Sequence, residues 1–311
     1  MNFRAPGKVV LWGEYAVLAG APAAVMAVNR YARVDIETDT TAWRFTSRGL
    51  LTPSVHRTRA EFCHAPAAAM AETALRHWGV EQFPAPFALA SDTRSFYHTP
   101  GAKLGIGSSA ALCAATCHAM AHITDTTATL DDALAVHRLF QGGSGSGLDV
   151  AASWHGGVIR FQHGAATGWT WPTQLYWQVV WTGASAATQA ALGQYARWQA
   201  EGNTASLTDL AAAAHHLFDQ PTLASLEAYS QRLRAMDVAA QLNIFTPPHE
   251  RLATIAADHG LVYKPCGAGG GDIGLACGMD QDALAAFAQA AREAHFVPLD
   301  LEIAPHGVKA G

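Results

Sequence analysis

The sequence predicts an α+β fold in two domains, and three features carry that prediction. The chain has 311 residues, more than a single core comfortably organises. Half of its residues are hydrophobic and only 14% are charged, enough apolar material for buried cores and too little charge for disorder. Apolar strand patterns mix with alanine-rich helical ones up to about residue 175. Consecutive helices then lead into a closing strand–strand–helix–strand run, which suits a small antiparallel sheet covered by helices. The domains are accordingly drawn at 1–175 and 176–311.

Residues 28–38 alternate polar and apolar around Val34 and Ile36 and read as a strand. Gly49 to Ser54 reads as a turn, and the alanine-rich stretch 61–79 as a helix ending at Gly79. Phe87 to Ala90 is a buried strand leading into a glycine turn at 103–107. Helices are expected from Ser108 to Ile123 and from Leu130 to Gln141, the second capped near Thr129 with acids in its first turn. Gly142 to Gly147 is a flexible glycine–serine run ahead of Leu148 and Asp149, and Gly156-Gly157 turns the chain into a strand at 158–161. Tyr176 to Thr182 is a further apolar strand. Helices follow at about 185–200, 206–218 and 221–236, and another after Thr246-Pro247-Pro248-His249. The end reads strand (261–265), glycine loop, strand (272–277), helix (281–294) and strand (297–303).

Composition excludes several function classes. A net charge of −5 argues against a nucleic-acid surface. Arg4 and Lys8 flank no apolar secretory region, and the most apolar helix, 110–123, is too short to span a bilayer. The cysteines at 63, 113, 117, 266 and 277 suggest no disulfide framework, so a cytoplasmic protein is expected; the sequence leaves monomer and homodimer open. The 15 histidines form no metal-ligand pattern. His215 and His216 are helix neighbours that diverge.

The strongest chemical signal is Lys103-Leu104-Gly105-Ile106-Gly107-Ser108-Ser109-Ala110, a glycine–hydroxyl turn opening a helix. Unpaired backbone N–H groups and the helix dipole together suit phosphate there. Ser108 and Ser109 can cap the helix, and one hydroxyl can reach Mg²⁺. Two further glycine-rich segments stand at Pro6-Gly7-Lys8…Gly13-Glu14-Tyr15 and at Gly267-Ala268-Gly269-Gly270-Gly271-Asp272. Lys8, Lys103 and Lys264, three of four lysines, lie in or beside the three segments, which points to a phosphorylated ligand. The dinucleotide fingerprint is matched only weakly, since a strand rather than a helix follows Gly274 and Asp125 sits in a loop. No Gly-x-x-x-x-Gly-Lys-Ser/Thr loop occurs. Taken alone, the 267–271 glycines also fit a hairpin with positive φ.

The order of these segments resembles the GHMP small-molecule kinase superfamily, from residue 4 to about residue 304. The resemblance implies a mixed α/β N-terminal domain, a ferredoxin-like α+β C-terminal domain, and ATP- and Mg²⁺-dependent phosphoryl transfer. Gln141-Gly142-Gly143-Ser144-Gly145-Ser146-Gly147-Leu148-Asp149-Val150-Ala151, Val180 to Thr188, and the acid at Asp272 resemble the phosphomevalonate kinase branch. So does the absence of a glutamate near Arg138. That implies a phosphorylated acceptor, with mevalonate or a sugar as the alternative, or a non-catalytic ligand-binding relative. By the same resemblance Lys8 and Asp149 are the catalytic candidates. Lys103, Gly105, Gly107, Ser108, Ser109 and Ala110 hold nucleotide, and Ser109 approaches the metal. Lys103, Ser146, Gly147, Gly269, Gly270 and Asp272 hold acceptor; Arg30, Arg94 and Arg138 are further candidate cations, though surface salt bridges are the favoured reading for these arginines. Asp149 is either a general base or an orienting group; its alternative is an N-cap for a helix starting at Val150. Cys266 stands where this family usually has serine.

Overall fold

Two long strands, β1 (Asn2–Trp12) and β2 (Ala23–Glu37), pair antiparallel and form the spine of a seven-stranded sheet. The computed structural model describes residues 1–38, 40–49, 69–80, 85–143, 145–186, 188–202 and 204–311. The turn expected at Gly49 to Ser54, beyond Gly49 itself, the first part of the helix expected at 61–79, and Cys63 and Ser144 lie outside these residues. β3 (Arg44–Arg48) runs parallel to β4 (Ala88–Asp92), which pairs with the second half of β2. Between them in sequence lies α1 (Ala69–His77). After β4, a small hairpin of β5 (Tyr97–Thr99) and β6 (Ala102–Lys103) leads into α2 (Ser108–Ile123), α3 (Leu130–Phe140) and α4 (Leu148–His155). β7 (Val158–Gln162) then pairs with the first half of β2 and with β8 (Ala165–Trp169).

Small side chains let α2 lie close to this sheet: Ala110, Ala111, Ala114, Ala115 and Ala119 are all buried, as are Cys113 and Cys117. Thr129 begins α3 with a reciprocal capping box to Asp132.

The second sheet is antiparallel throughout, in the order β10-β11-β9-β12. Its strands are β9 (Tyr176–Trp181), β10 (Val262–Pro265), β11 (Ile273–Gly278) and β12 (Val297–Leu299). Helices α5 (Thr188–Ala200), α6 (Ala205–Asp219), α7 (Leu223–Ala240), α8 (Pro247–Asp258) and α9 (Gln281–Glu293) complete the chain. Leu252 and Ala256 of α8 and Leu284, Phe287 and Ala291 of α9 pack on Val180, Tyr263 and Ala276 of the sheet. The last strand, β13 (Lys309–Ala310), crosses back to pair with β1. Among the described residues no helix is long and apolar enough to cross a membrane. This is the expected α+β architecture with mixed and antiparallel sheets.

Strand β1 was not foreseen as a strand, because Pro6 and Gly7 interrupt its pattern. The structure absorbs them in a register shift between Pro6 and Gly7. There a Cβ would lie 2.7 Å from Ile106 O, so Gly7 lets the 105–107 turn dock on the strand. The strand expected at 297–303 ends at Leu299.

Candidate active site

Lys8 sits on β1 at the floor of a cleft of about 310 Å³. Its backbone N–H donates to Ile106 O at 2.8 Å, which ties the strand to the glycine turn. Gly107 holds φ +83°, and a Cβ there would lie 2.8 Å from Lys8 Cγ. Glycine thus serves both the left-handed turn and the passage of the lysine stem. Lys8 Nζ stands 3.4 Å from Asp149 Oδ1. Gly147, in a left-handed conformation, precedes α4 and sets Asp149 in its first turn.

The structure brings most of the expected residues together. Lys8, Asp149, Lys103, Gly105, Gly107, Ser108, Ser109, Ala110, Ser146, Gly147 and Asp272 all line the cleft. Ser108 and Ser109 do not cap α2: Gly107 occupies the N-cap position and no side chain accepts there. Ser108 Oγ is buried without a partner among the described residues, and Ser109 Oγ is 3.0 Å from His137 Nε2. Nor does Asp149 cap a helix at Val150, since α4 begins two residues earlier at Leu148 with Gly147 in the N-cap position. Gly269 and Gly270 do not line the cleft. Gly269 packs against Ile244, where any Cβ would overlap, and Gly270 N–H donates to Ile244 O at 3.1 Å. The glycine loop joins the antiparallel strands β10 and β11 and gives Gly267, Ala268 and Asp272 to the cleft wall.

Lys264 is a further correction. It is wholly buried on β10 and pairs with Glu14, whose other oxygen accepts from Tyr229 Oη at 2.8 Å. Burial works against its charge, but the paired Glu14 carboxylate helps outweigh that and its pKa stays above the usual lysine value. Arg30 donates to Asp300 O at 3.0 Å and Arg94 pairs with Asp92 at 2.6 Å, both outside the cleft. Arg138 does line it.

Sequence reasoning missed His137, Tyr15 and the Glu14–Lys264 pair. Tyr15 donates to Ala268 O at 2.6 Å and so binds the first motif to the third. Burial lowers the pKa of His137, against the pull of Asp149, so its ring is neutral near pH 7. Burial pushes the Cys266 thiol up to about 11, so the cleft wall it forms is uncharged.

The site suits a polyphosphate. It offers an orphaned buried hydroxyl, a glycine cradle at a helix N-terminus, and Lys8, Lys103 and Arg138 as cations. No cluster of three His, Cys, Asp or Glu capable of holding a metal occurs among the described residues. A divalent ion here would take phosphate oxygens together with Ser109 or Asp149, the usual habit of Mg²⁺.

Residues 67–157, which contain the glycine turn and Asp149, match the family described as GHMP kinases N terminal domain. A phosphomevalonate kinase of Streptomyces sp. (strain CL190) is 29% identical, over 88% of each chain. Among solved structures, a Listeria innocua protein is similar over the full length of both chains, with a TM-score of 0.81 and 22% identity. A Streptococcus pneumoniae phosphomevalonate kinase in complex with phosphomevalonate and AMPPNP gives 0.77 and 19% identity, over 97% of this chain and 99% of that one. Methanococcus jannaschii mevalonate kinase gives 0.72 and 14%, over 97% and 98%. At such identities the structural likeness speaks to the fold. Residues 67–157 therefore match the GHMP kinase N-terminal domain, and the chain has the fold of these kinases over its whole length.

Proposed function

We propose that this chain is an ATP-dependent small-molecule kinase that phosphorylates phosphomevalonate to diphosphomevalonate. The observation that carries the reading is Lys8 held between the Gly105–Ser109 turn and Asp149 at the floor of the cleft. Phosphoryl transfer depends on positioning and charge neutralisation, and this arrangement supplies both. The likeness to the Streptomyces phosphomevalonate kinase supports the choice of acceptor.

In this reading the N–H groups of the turn and Lys103 hold the nucleotide phosphates, and Lys8 offsets charge on the transferring group. An acceptor phosphate oxygen forms the new bond to the γ-phosphorus while the bond to the ADP oxygen breaks. Mg²⁺ would neutralise phosphate charge. Neutral His137 can accept a hydrogen bond from the Ser109 hydroxyl at 3.0 Å, which would leave the hydroxyl oxygen free to hold a metal ion. Phosphate monoesters have a second pKa around 6, so the nucleophile is already ionised, and Asp149 orients Lys8 rather than removing a proton. Lys103, Ser146 and Gly147 contact the acceptor. The same proposal divides the chain at residue 175, between β8 and β9. It places the protein in the cytoplasm, supported by free Cys113, Cys117, Cys266 and Cys277.

The test is ADP release with Mg²⁺ against phosphomevalonate, mevalonate and several sugars. Turnover with phosphomevalonate is expected. Turnover confined to an alcohol would replace the acceptor and make Asp149 the base, and no turnover with any acceptor would favour a non-catalytic relative.

A further inference from the structure

Asp272 stands at a left-handed φ of +55° at the end of the β10–β11 loop, a conformation that glycine holds at lower cost. Its polar groups are directed onto one turn. Its N–H donates to Ala184 O at 2.7 Å, and its carbonyl accepts from Thr182 N–H at 2.9 Å and from Thr182 Oγ1 at 3.1 Å. Its Oδ1 accepts from Ala186 N–H at 3.1 Å. The opposite side of the carboxyl presses on Gly105, where any Cβ would overlap it. The turn at 182–186 runs into α5, which supplies Thr188, Gln189 and Leu192 to the cleft.

We propose that Asp272 is a positioning residue whose side-chain oxygen locks the 182–186 turn, and through it the α5 wall, against the phosphate loop. The inference deepens the phosphoryl-transfer reading and rests on it; it differs from the direct acceptor contact expected of Asp272 from sequence. A carboxylate is a poor partner for a phosphorylated ligand. Burial moreover raises its pKa, against the Ala186 N–H, Lys8 and Lys103. The phosphate loop has its own anchors, Lys8 N–H to Ile106 O and Leu104 N–H to Phe96 O, so nucleotide binding does not depend on Asp272. The α5 wall does, and the acceptor is the substrate left to sense it.

An amide oxygen accepts as a carboxylate does, so Asp272→Asn keeps the lock. Asp272→Gly deletes it while relieving the left-handed backbone, which makes it the deletion variant safest for folding; Asp272→Ala is the second. Hydrogen–deuterium exchange on the unliganded full chain should show peptides within 182–192 exchanging about five- to tenfold faster in Asp272→Gly, with Asp272→Asn returning toward wild type. Acceptor KM should rise by a similar factor in Asp272→Gly, with ATP KM within about threefold, and fall back in Asp272→Asn. Unchanged exchange in Asp272→Gly would overturn the lock. Equal failure of Asn and Gly would mean that the charge is what matters, and would overturn it as well. A wild-type protein that turns over no acceptor leaves the exchange arm decisive, and that failure belongs to the proposed activity instead.

Discussion

Replacing Lys264 by Met should destabilise this protein more than removing any exposed ion pair. Lys264 and Glu14 join β10 to the end of β1, with side chains 0% and 1% exposed. Met fills a similar volume, so the variant removes charge without opening a large cavity. Glu14 then keeps only the Tyr229 hydroxyl at 2.8 Å as a side-chain donor, and a buried carboxylate without its counter-ion costs about 3–5 kcal/mol. Tyr229→Phe removes that hydrogen bond to a charged group and also the one its oxygen accepts from Gly13 N–H at 2.7 Å, and should cost at least about 1.5–3 kcal/mol. The double variant Glu14→Gln/Lys264→Met removes both charges and should be more stable than Lys264→Met alone. Urea unfolding followed by tryptophan fluorescence and by far-ultraviolet circular dichroism measures these differences, and coincidence of the two signals checks cooperativity. A loss below about 1 kcal/mol for Lys264→Met, or a double variant as unstable as the sum of the singles, would refute this account of the pair.

Further expectations concern the cleft and pH. Lys8→Met should lower kcat by about 10²–10³-fold, the usual loss for one charge-stabilising donor, while nucleotide affinity measured by calorimetry stays close to wild type. Asp149→Asn should lose less than Lys8→Met when phosphomevalonate is the acceptor; an equal loss would indicate general-base chemistry, worth about 10²–10⁴ in rate. Gly107→Ala forces a Cβ into a left-handed turn 2.8 Å from Lys8 Cγ. It should cost about 1–2 kcal/mol by urea unfolding and depress kcat by displacing the lysine. His249 is buried, with Nε2 donating to Gly271 O at 3.0 Å and Nδ1 accepting from Tyr263 Oη at 2.8 Å. Burial lowers its pKa to about 4. The unfolded chain therefore binds the extra proton first, and stability present above about pH 6.5 falls as pH drops toward 4, by up to about 3 kcal/mol. His249→Asn should show a shallower loss over that window in urea titrations.

Much of the site was legible because its motifs are local. Gly105-Ile106-Gly107-Ser108-Ser109 carries its own turn geometry and helix start, and Leu148-Asp149 follows a glycine that sets the helix entry. What sequence could not supply were pairings across long separations. Nothing at position 264 reveals that its partner is Glu14, so a lysine beside glycines read as a ligand cation. Nothing near residue 137 shows that the ring meets Ser109 across two helices. Gly269 illustrates another limit: its conformational freedom serves packing on Ile244, and glycine spacing alone cannot distinguish that from contact with a ligand. The strand β1 escaped notice because its Pro6-Gly7 irregularity is compensated by docking of the 105–107 turn, a tertiary contact.

The most direct test of the central claim is the identity of the product by phosphorus NMR after incubation with ATP, Mg²⁺ and phosphomevalonate. A new phosphorus–oxygen–phosphorus linkage, seen as a pair of mutually coupled signals outside those of ADP and ATP and absent with Lys8→Met, is the predicted result. An uncoupled phosphate ester on a hydroxyl, or ATP left intact, would contradict it.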